Sequence, residues 1–313
     1  MRPSPYKPRR VLSLRSGLKA KFEFMQVVYT LLRKKVARPL KRFLKKISAK
    51  NNLKDEAHQL VGLTGLQAQT MWRAKIPGLL HQTSPNLLLH PSHYRAVQCF
   101  RAKNPGLEFK VWDDIAIEAY MASNWGDHPI YKVFTGAKFG QMKADIFRYC
   151  VVFETGGFYL DINKTVDLSL ADLVANNSEG LISFEKNMLV SFPSVQAASR
   201  LLRPHNVVLQ WCFGFVPEHP ILNSTINRIV HIAPFFSGVE FNRALHAVVS
   251  FTGPGSFTWA VHKFLEENEP TALQQLQPDF DNLGITRLPR SENAFSGNHY
   301  GYLKNVEVFD WKK

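Results

Sequence analysis

Asp145 and Arg148 stand three residues apart in Lys143-Ala-Asp-Ile-Phe-Arg-Tyr149, a stretch whose apolar residues recur at helical spacing. On a helix that spacing projects both side chains from one side. A carboxylate beside a guanidinium offers fixed acceptors and donors to neighbouring sugar hydroxyls, and the guanidinium can also meet a phosphate. The same spacing also makes plain structural salt bridges, so the pair alone leaves both readings open. Further along, Gly156-Gly157 permits a sharp turn and the close approach of a ligand, just before Phe158-Tyr-Leu-Asp-Ile162. Asp161-Ile162-Asn163 then sets two oxygen-bearing side chains on one side of an extended chain. A diphosphate-bound Mn²⁺ or Mg²⁺ would be held by such a pair. A strand end that merely turns into the next element carries the same residues. Lys164 follows directly and could offset diphosphate charge, although an exposed lysine needs no such role.

These residues need a scaffold, and the flanking pattern supplies one. Ile76-Pro-Gly-Leu-Leu-His-Gln82 reads as a first buried strand and Pro91 to Phe100 as a helix. Leu107 to Trp112 alternates as a strand does, and Asp113-Asp114 can cap a helix running through Tyr120. Gly140 to Glu154 forms an amphipathic helix with Ile146, Tyr149, Cys150 and Phe153 on one face, ending at the two glycines. Phe158 to Ile162 is the strand that delivers Asp161. Strand, helix, strand, helix is the rhythm of a parallel α/β sheet, in which ligands sit beyond the carboxyl ends of the strands.

The chain's 313 residues and 45% apolar content suffice for one large α/β domain. The formal charge of +14 suggests nucleic acid until it is located: residues 1–50 hold 16 Lys or Arg against the single acid Glu23, so the remainder is nearly neutral. No helix-turn-helix, RNP-like or zinc-finger spacing accompanies the basic start, which argues against a nucleic-acid partner. Within it Phe22, Met25, Val28, Tyr29, Leu32 and Val36 fall at helical steps between basic residues, a pattern suited to an anchor on an anionic membrane surface. A disordered basic tail with one packing helix and a cleaved transit peptide fit the same composition. No run approaches the roughly 20 apolar residues that a membrane span requires. Cys99, Cys150 and Cys212 are too few and too scattered for a zinc motif or a disulfide framework and read as buried thiols.

A family resemblance rests on several segments at once: Ile76-Pro with His81-Gln82, Asn104-Pro105-Gly106 with Trp112-Asp113, Lys143 to Tyr149, and Glu154 to Asn163. Together they resemble glycosyltransferase family 32, whose members contain a DXD sugar-binding region and include fungal α-mannosyltransferases and bacterial capsular polysaccharide enzymes. Trp211 to Pro220 and Phe251-Thr-Gly-Pro-Gly255 are similar to later family segments, so the likeness runs over roughly residues 74–260 and more weakly to 300.

The resemblance implies a single Rossmann-like nucleotide-sugar-binding domain of the glycosyltransferase A type over 70–313, after a mainly helical basic extension over 1–60. It implies retaining hexosyl transfer from a UDP- or GDP-sugar to a glycan or lipid-linked acceptor, and the basic amphipathic start places that transfer at a peripheral membrane site, on the cytoplasmic face or in a Golgi-like compartment. Asp145, Arg148 and Asp161 would be catalytic, with Asp145 and Arg148 on donor-sugar hydroxyls and Asp161 on ribose, sugar or metal. His81, Gln82, Gly156, Gly157 and Tyr159 would line the donor site. Asp161, Asn163 and a C-terminal His299 would hold Mn²⁺ or Mg²⁺. Two departures stand out: the family usually has Asp where this chain has Asn163, and the Trp expected after His299 is missing. An amide oxygen ligates without bringing charge, so metal binding should weaken. A catalytically inactive relative acting as a binding or scaffold protein draws its support from Asn163. Read from the residues alone, His81, His219 and His246 are structural or acceptor-side residues, and none forms a spaced pair resembling a zinc site. Glu185 and Asp167 would be the carboxylates available if a double displacement operated.

Overall fold

The computed structural model describes residues 58–59, 72–85, 87–89, 91–166, 169–189, 193–278, 285–287 and 300–311. The chain divides into Met1–Glu56 and Ala57–Lys313, and everything below concerns the second unit. The basic segment 1–50, His299 and Asp167 lie outside the described residues.

The core is one six-stranded sheet. Its strands are β1 (Leu79–Thr83), β2 (Glu108–Trp112), β3 (Gly157–Leu160), β4 (Gly180–Ile182), β5 (Cys212–Phe215) and β6 (Leu273–Gln275), in the spatial order β6-β4-β5-β3-β1-β2. β2, β1 and β3 are parallel, as the alternating rhythm predicts. β5 runs antiparallel to both its neighbours, so the sheet is mixed rather than wholly parallel, while β6 pairs parallel with β4. Between β4 and β5 the chain runs out along Phe184–Leu189 and back along the antiparallel Asn206–Val208, with the short helix Val195–Arg200 between them, and so enters β5 reversed.

The longer helices are α1 (Pro91–Lys103), α2 (Asp114–Trp125), α3 (Pro129–Gly136), α4 (Gly140–Thr155), α5 (Pro220–Ile232), α6 (Ala244–Phe251) and α7 (Pro254–Glu267). Local chemistry starts several of them. Asp113 accepts a hydrogen bond from Ala116 N at 2.8 Å and caps α2, and His219 caps α5 with Pro220 in the first turn, which gives that histidine its structural role. Alternation on the strands sorts the faces. Tyr159, Phe213 and Phe215 join α2 to α7 in one cluster, while Leu80, Phe158, Leu160 and Cys212 join Phe100 of α1 in another. α4 is buried nearly all round, from Met142 to Val152, because it lies between the sheet and α5. The one-sided face expected of it is therefore too narrow. Cys150 and Cys212 are buried, but Cys99 is exposed, contrary to expectation: it sits two residues from Val97, on the far side of α1 from the core.

Gly156 and Gly157 join α4 to β3 with φ of 65° and 94°. A Cβ on Gly156 would come 2.7 Å from Pro217 Cδ, and one on Gly157 would fall on the carbonyl oxygen of Leu79. These glycines do not open a ligand path as expected. They sit at the N-terminal end of β3, the far end from Asp161, and pack against protein. Replacing Gly157 by Ala combines left-handed strain with a backbone clash, so a loss of about 3 kcal/mol or more is expected, read as a melting point lowered by roughly 6 °C or more.

Candidate functional site

The C-terminal ends of β1 and β3 lie side by side, with Thr83 closing one and Asp161 following the other. α4 crosses the same face and carries Asp145, Arg148 and Tyr149 in its middle. Arg148 is the hub. Its Nη2 lies 3.2 Å from Asp145 Oδ1 and 3.5 Å from Asp161 Oδ1, and its guanidinium stacks 4.4 Å over the Tyr159 ring. Nη1 donates to the Gln210 carbonyl at 3.1 Å and Nε to Ala144 O at 3.3 Å. Tyr159 OH meets Thr83 Oγ1 at 2.8 Å and donates to Asp161 Oδ1 at 3.1 Å. Asp145 accepts from Gln210 Nε2 on Oδ1 and from Thr252 Oγ1 on Oδ2, both at 3.1 Å.

Burial sets the charges. Asp145 and Arg148 side chains are 6% and 7% exposed, whereas that of Asp161 is 27% exposed and forms the open edge of the cluster. Burial pulls the Arg148 guanidinium down, but Tyr159, Asp145 and Asp161 outweigh it and the group stays firmly cationic. Burial raises the Asp145 carboxyl to about 7, against the opposing pull of Arg148, so Asp145 is the group in this cluster that titrates near neutrality. Burial also raises both phenols, Tyr149 and Tyr159, which remain protonated donors.

Asn163 lies in the turn after Asp161, and its Oδ1 is buried without a hydrogen-bond partner among the described residues. A buried acceptor left unmet normally has a reason. Beside it, the Lys164 ammonium sits 3.6 Å over the ring of Trp211, whose carbonyl accepts from Asp161 N at 2.9 Å. Among the described residues no group of three or more His, Cys, Asp and Glu comes together.

Of the residues expected at the site, Asp145, Arg148, Tyr159 and Asp161 meet, with Asn163 alongside. His81 does not present itself to a ligand. Its Nδ1 accepts from Trp112 Nε1 at 3.1 Å, its Nε2 donates to Thr155 Oγ1 at 3.0 Å, and burial holds it neutral at about 3. That correction follows from its inward position on a strand buried on both faces. Gln82, one residue on, points to the opposite face of the sheet from the cluster and is buried, its Oε1 without a partner among the described residues. Four members were not foreseen: Thr83, Gln210, Thr252 and the hydroxyl of Tyr149. Gln210 adjoins Trp211–Pro220, and Thr252 is the threonine of Phe251-Thr-Gly-Pro-Gly255, both segments that carry the resemblance, but no site role was assigned to either residue.

Parts of the chain are similar to known proteins. Residues 91–179, which hold α4, β3 and Asn163, match the family described as glycosyltransferase sugar-binding region containing DXD motif. The initiation-specific alpha-1,6-mannosyltransferase of Schizosaccharomyces pombe is 25% identical over 223 residues, covering 67% of this chain and 54% of its own length. This chain thus spans about half of that relative. Among solved structures, the PaToxG glycosyltransferase aligns with a TM-score of 0.42 and 14% identity over 76% of this chain and 80% of its own. The Asp145–Arg148 pair and the Asp161–Asn163 turn thus lie within the matched residues, and over that stretch the chain is similar to glycosyltransferases whose sugar-binding region contains a DXD motif.

Proposed function

We propose that this protein moves a hexosyl group from a nucleoside-diphosphate sugar, a UDP- or GDP-sugar, to a glycan or lipid-linked acceptor, with retention at the anomeric carbon. The observation that carries the proposal is the buried Asp145–Arg148–Asp161 cluster at the carboxyl end of β3. A closed ion pair with no outlet would be structural. Here Asp161 remains partly open to solvent, so the pair is coupled to a surface where a ligand can bind. Asp145 would accept from donor-sugar hydroxyls, and Arg148 would donate to sugar or phosphate while holding both carboxylates in place. The mannosyl transfer in the relative's name puts mannose among the donors to be tried.

The residues present fit a divalent cation. Asp161 supplies one charged oxygen and Asn163 an unmet neutral one, so an Mn²⁺ or Mg²⁺ ion would take most of its remaining ligands from the diphosphate and water. When bound, such an ion offsets the charge that builds on the departing diphosphate. Lys164, on the same turn, adds a positive charge beside Asn163 and would share that task. A partnership of residues 1–50 with anionic membranes would bring the site to a membrane-borne acceptor.

The test is turnover and binding of a panel of UDP- and GDP-sugars, including GDP-mannose, by the intact chain with and without Mn²⁺. One donor should be turned over in preference to the rest, and its product should keep the anomeric configuration. Binding without turnover of any donor, at every Mn²⁺ concentration, would favour the scaffold reading that Asn163 suggests.

A further inference from the structure

Gln210 touches three members of the cluster from outside α4, although no role above requires it. Its Oε1 accepts from Tyr149 OH at 2.6 Å, its Nε2 donates to Asp145 Oδ1 at 3.1 Å, and its carbonyl accepts from Arg148 Nη1 at 3.1 Å. The direction of the amide follows from chemistry. An ionised carboxylate only accepts, so an inverted amide would set oxygen against oxygen at Asp145. The phenol of Tyr149, which burial keeps protonated, supplies the donor that the amide oxygen needs. Tyr149 thus fixes Gln210, and Gln210 in turn fixes Asp145.

Asp145 lies where such help matters. Arg148 faces it from the same helix, Asp161 acts on it from the end of β3, Tyr149 from the position after Arg148 on α4, and the neutral Thr252 from the end of α6. Its two oxygens are held at 3.1 Å by Gln210 and Thr252 in turn. With Gln210 gone, Oδ1 would retain Arg148 alone in a site almost free of water.

We propose that Gln210 is a positioning residue which, locked by Tyr149, fixes the carboxylate of Asp145 as the acceptor for a donor-sugar hydroxyl. This rests on the donor-site reading above. Gln210 acts through Asp145, so its removal should show in the titration of Asp145 and not only in a uniform loss. The Gln210→Met variant keeps the bulk and removes the N–H donor. Losing a hydrogen bond to the charged form moves the acid limb of kcat/KM upward by about one pH unit. Activity should fall about tenfold near pH 6.5 and stay within about threefold of wild type near pH 8.5. Tyr149→Phe, which leaves Gln210 in place but unlocked, should move the limb the same way by less. A limb superimposable on wild type in a folded Gln210→Met protein overturns the proposal, as does an equal loss at every pH.

A second readout needs no donor. Burial raises Asp145 above its unfolded value, so the stability linked to it is full below about pH 4 and is lost as pH rises through about 7. Gln210→Met should carry that loss to higher pH, so its melting-point deficit should grow between about pH 5 and pH 8.5, and that growth should vanish in an Asp145→Asn background, where only the constant deficit from the lost Tyr149 bond remains. A deficit independent of pH, or unchanged beside Asp145→Asn, denies the coupling. If the wild type turns over no donor, the glycosyltransferase reading fails, and this cycle still decides whether Gln210 governs Asp145.

Discussion

Replacing Arg148 by Met should lower sugar transfer by about 10²–10³-fold and destabilise the fold by about 3–5 kcal/mol. Both effects have one origin. Arg148 is the cation between Asp145 at 3.2 Å and Asp161 at 3.5 Å, it stacks at 4.4 Å on Tyr159, and it ties α4 to the strand-end segment through the Gln210 carbonyl. Removing it strands a carboxylate whose side chain is 6% exposed. Burial has already raised that carboxyl to about 7, so without Arg148 it would take up a proton across the neutral range and stop accepting from a sugar. Arg148→Lys separates the two effects. An ammonium restores charge but cannot reach both carboxylates and the carbonyl with a planar fork, so melting temperature should recover further than kcat/KM. The check is kcat/KM for the preferred donor alongside thermal denaturation of all three proteins. Transfer by the Met variant within about threefold of wild type would reduce Arg148 to a structural brace.

The contrast between what the sequence disclosed and what it concealed follows from distance along the chain. Asp145 and Arg148 share a helix, and Asp161 and Asn163 share a turn, so local periodicity alone sets each pair on one side. The elements from β1 to β3 follow the same logic, because buried strands bounded by Gly, Pro and Asp leave clear marks at short range. Gln210 and Thr252 reach Asp145 from 65 and 107 residues away, and no period links such positions. The reversed strand β5 escaped for the same reason, since Cys212-Phe-Gly-Phe215 is apolar on both faces and an apolar run carries no direction. His81 misled in the opposite sense. A histidine on a strand near the site has the chemistry of a ligand, yet Trp112 and Thr155 occupy both its nitrogens, and those partners lie on β2 and α4. The two glycines of α4's end belong with it: their types mark a tight approach, and the approach turns out to be Pro217, Pro77 and Leu79 rather than a ligand.

Asp161→Ala should abolish transfer, by about 10³-fold or more, while leaving the melting temperature nearly unchanged. The asymmetry with Arg148 is the point. Asp161 has a side chain 27% exposed at the open edge, its backbone N–H stays bound to the Trp211 carbonyl whatever the side chain, and Arg148 keeps Asp145 as partner when it is gone. The fold therefore loses little. On the proposed reading the donor would lose the carboxylate that, with Asn163, would face the diphosphate and its cation. Asn163→Asp supplies the converse arm. Adding a carboxylate beside Asp161, in the turn where the Asn163 amide oxygen has no partner among the described residues, should tighten Mn²⁺ binding about tenfold or more and lower the Mn²⁺ concentration that half-saturates transfer. Titration of Mn²⁺ into the wild type, Asp161→Ala and Asn163→Asp, by calorimetry and by donor turnover, reads both arms. If Asn163→Asp leaves affinity and turnover unchanged, the cation does not reach Asn163, and the positive charge for the leaving diphosphate must come from Arg148 and from Lys164 on its Trp211 seat. Lys164→Met would then take on the large loss that Asp161→Ala is expected to show.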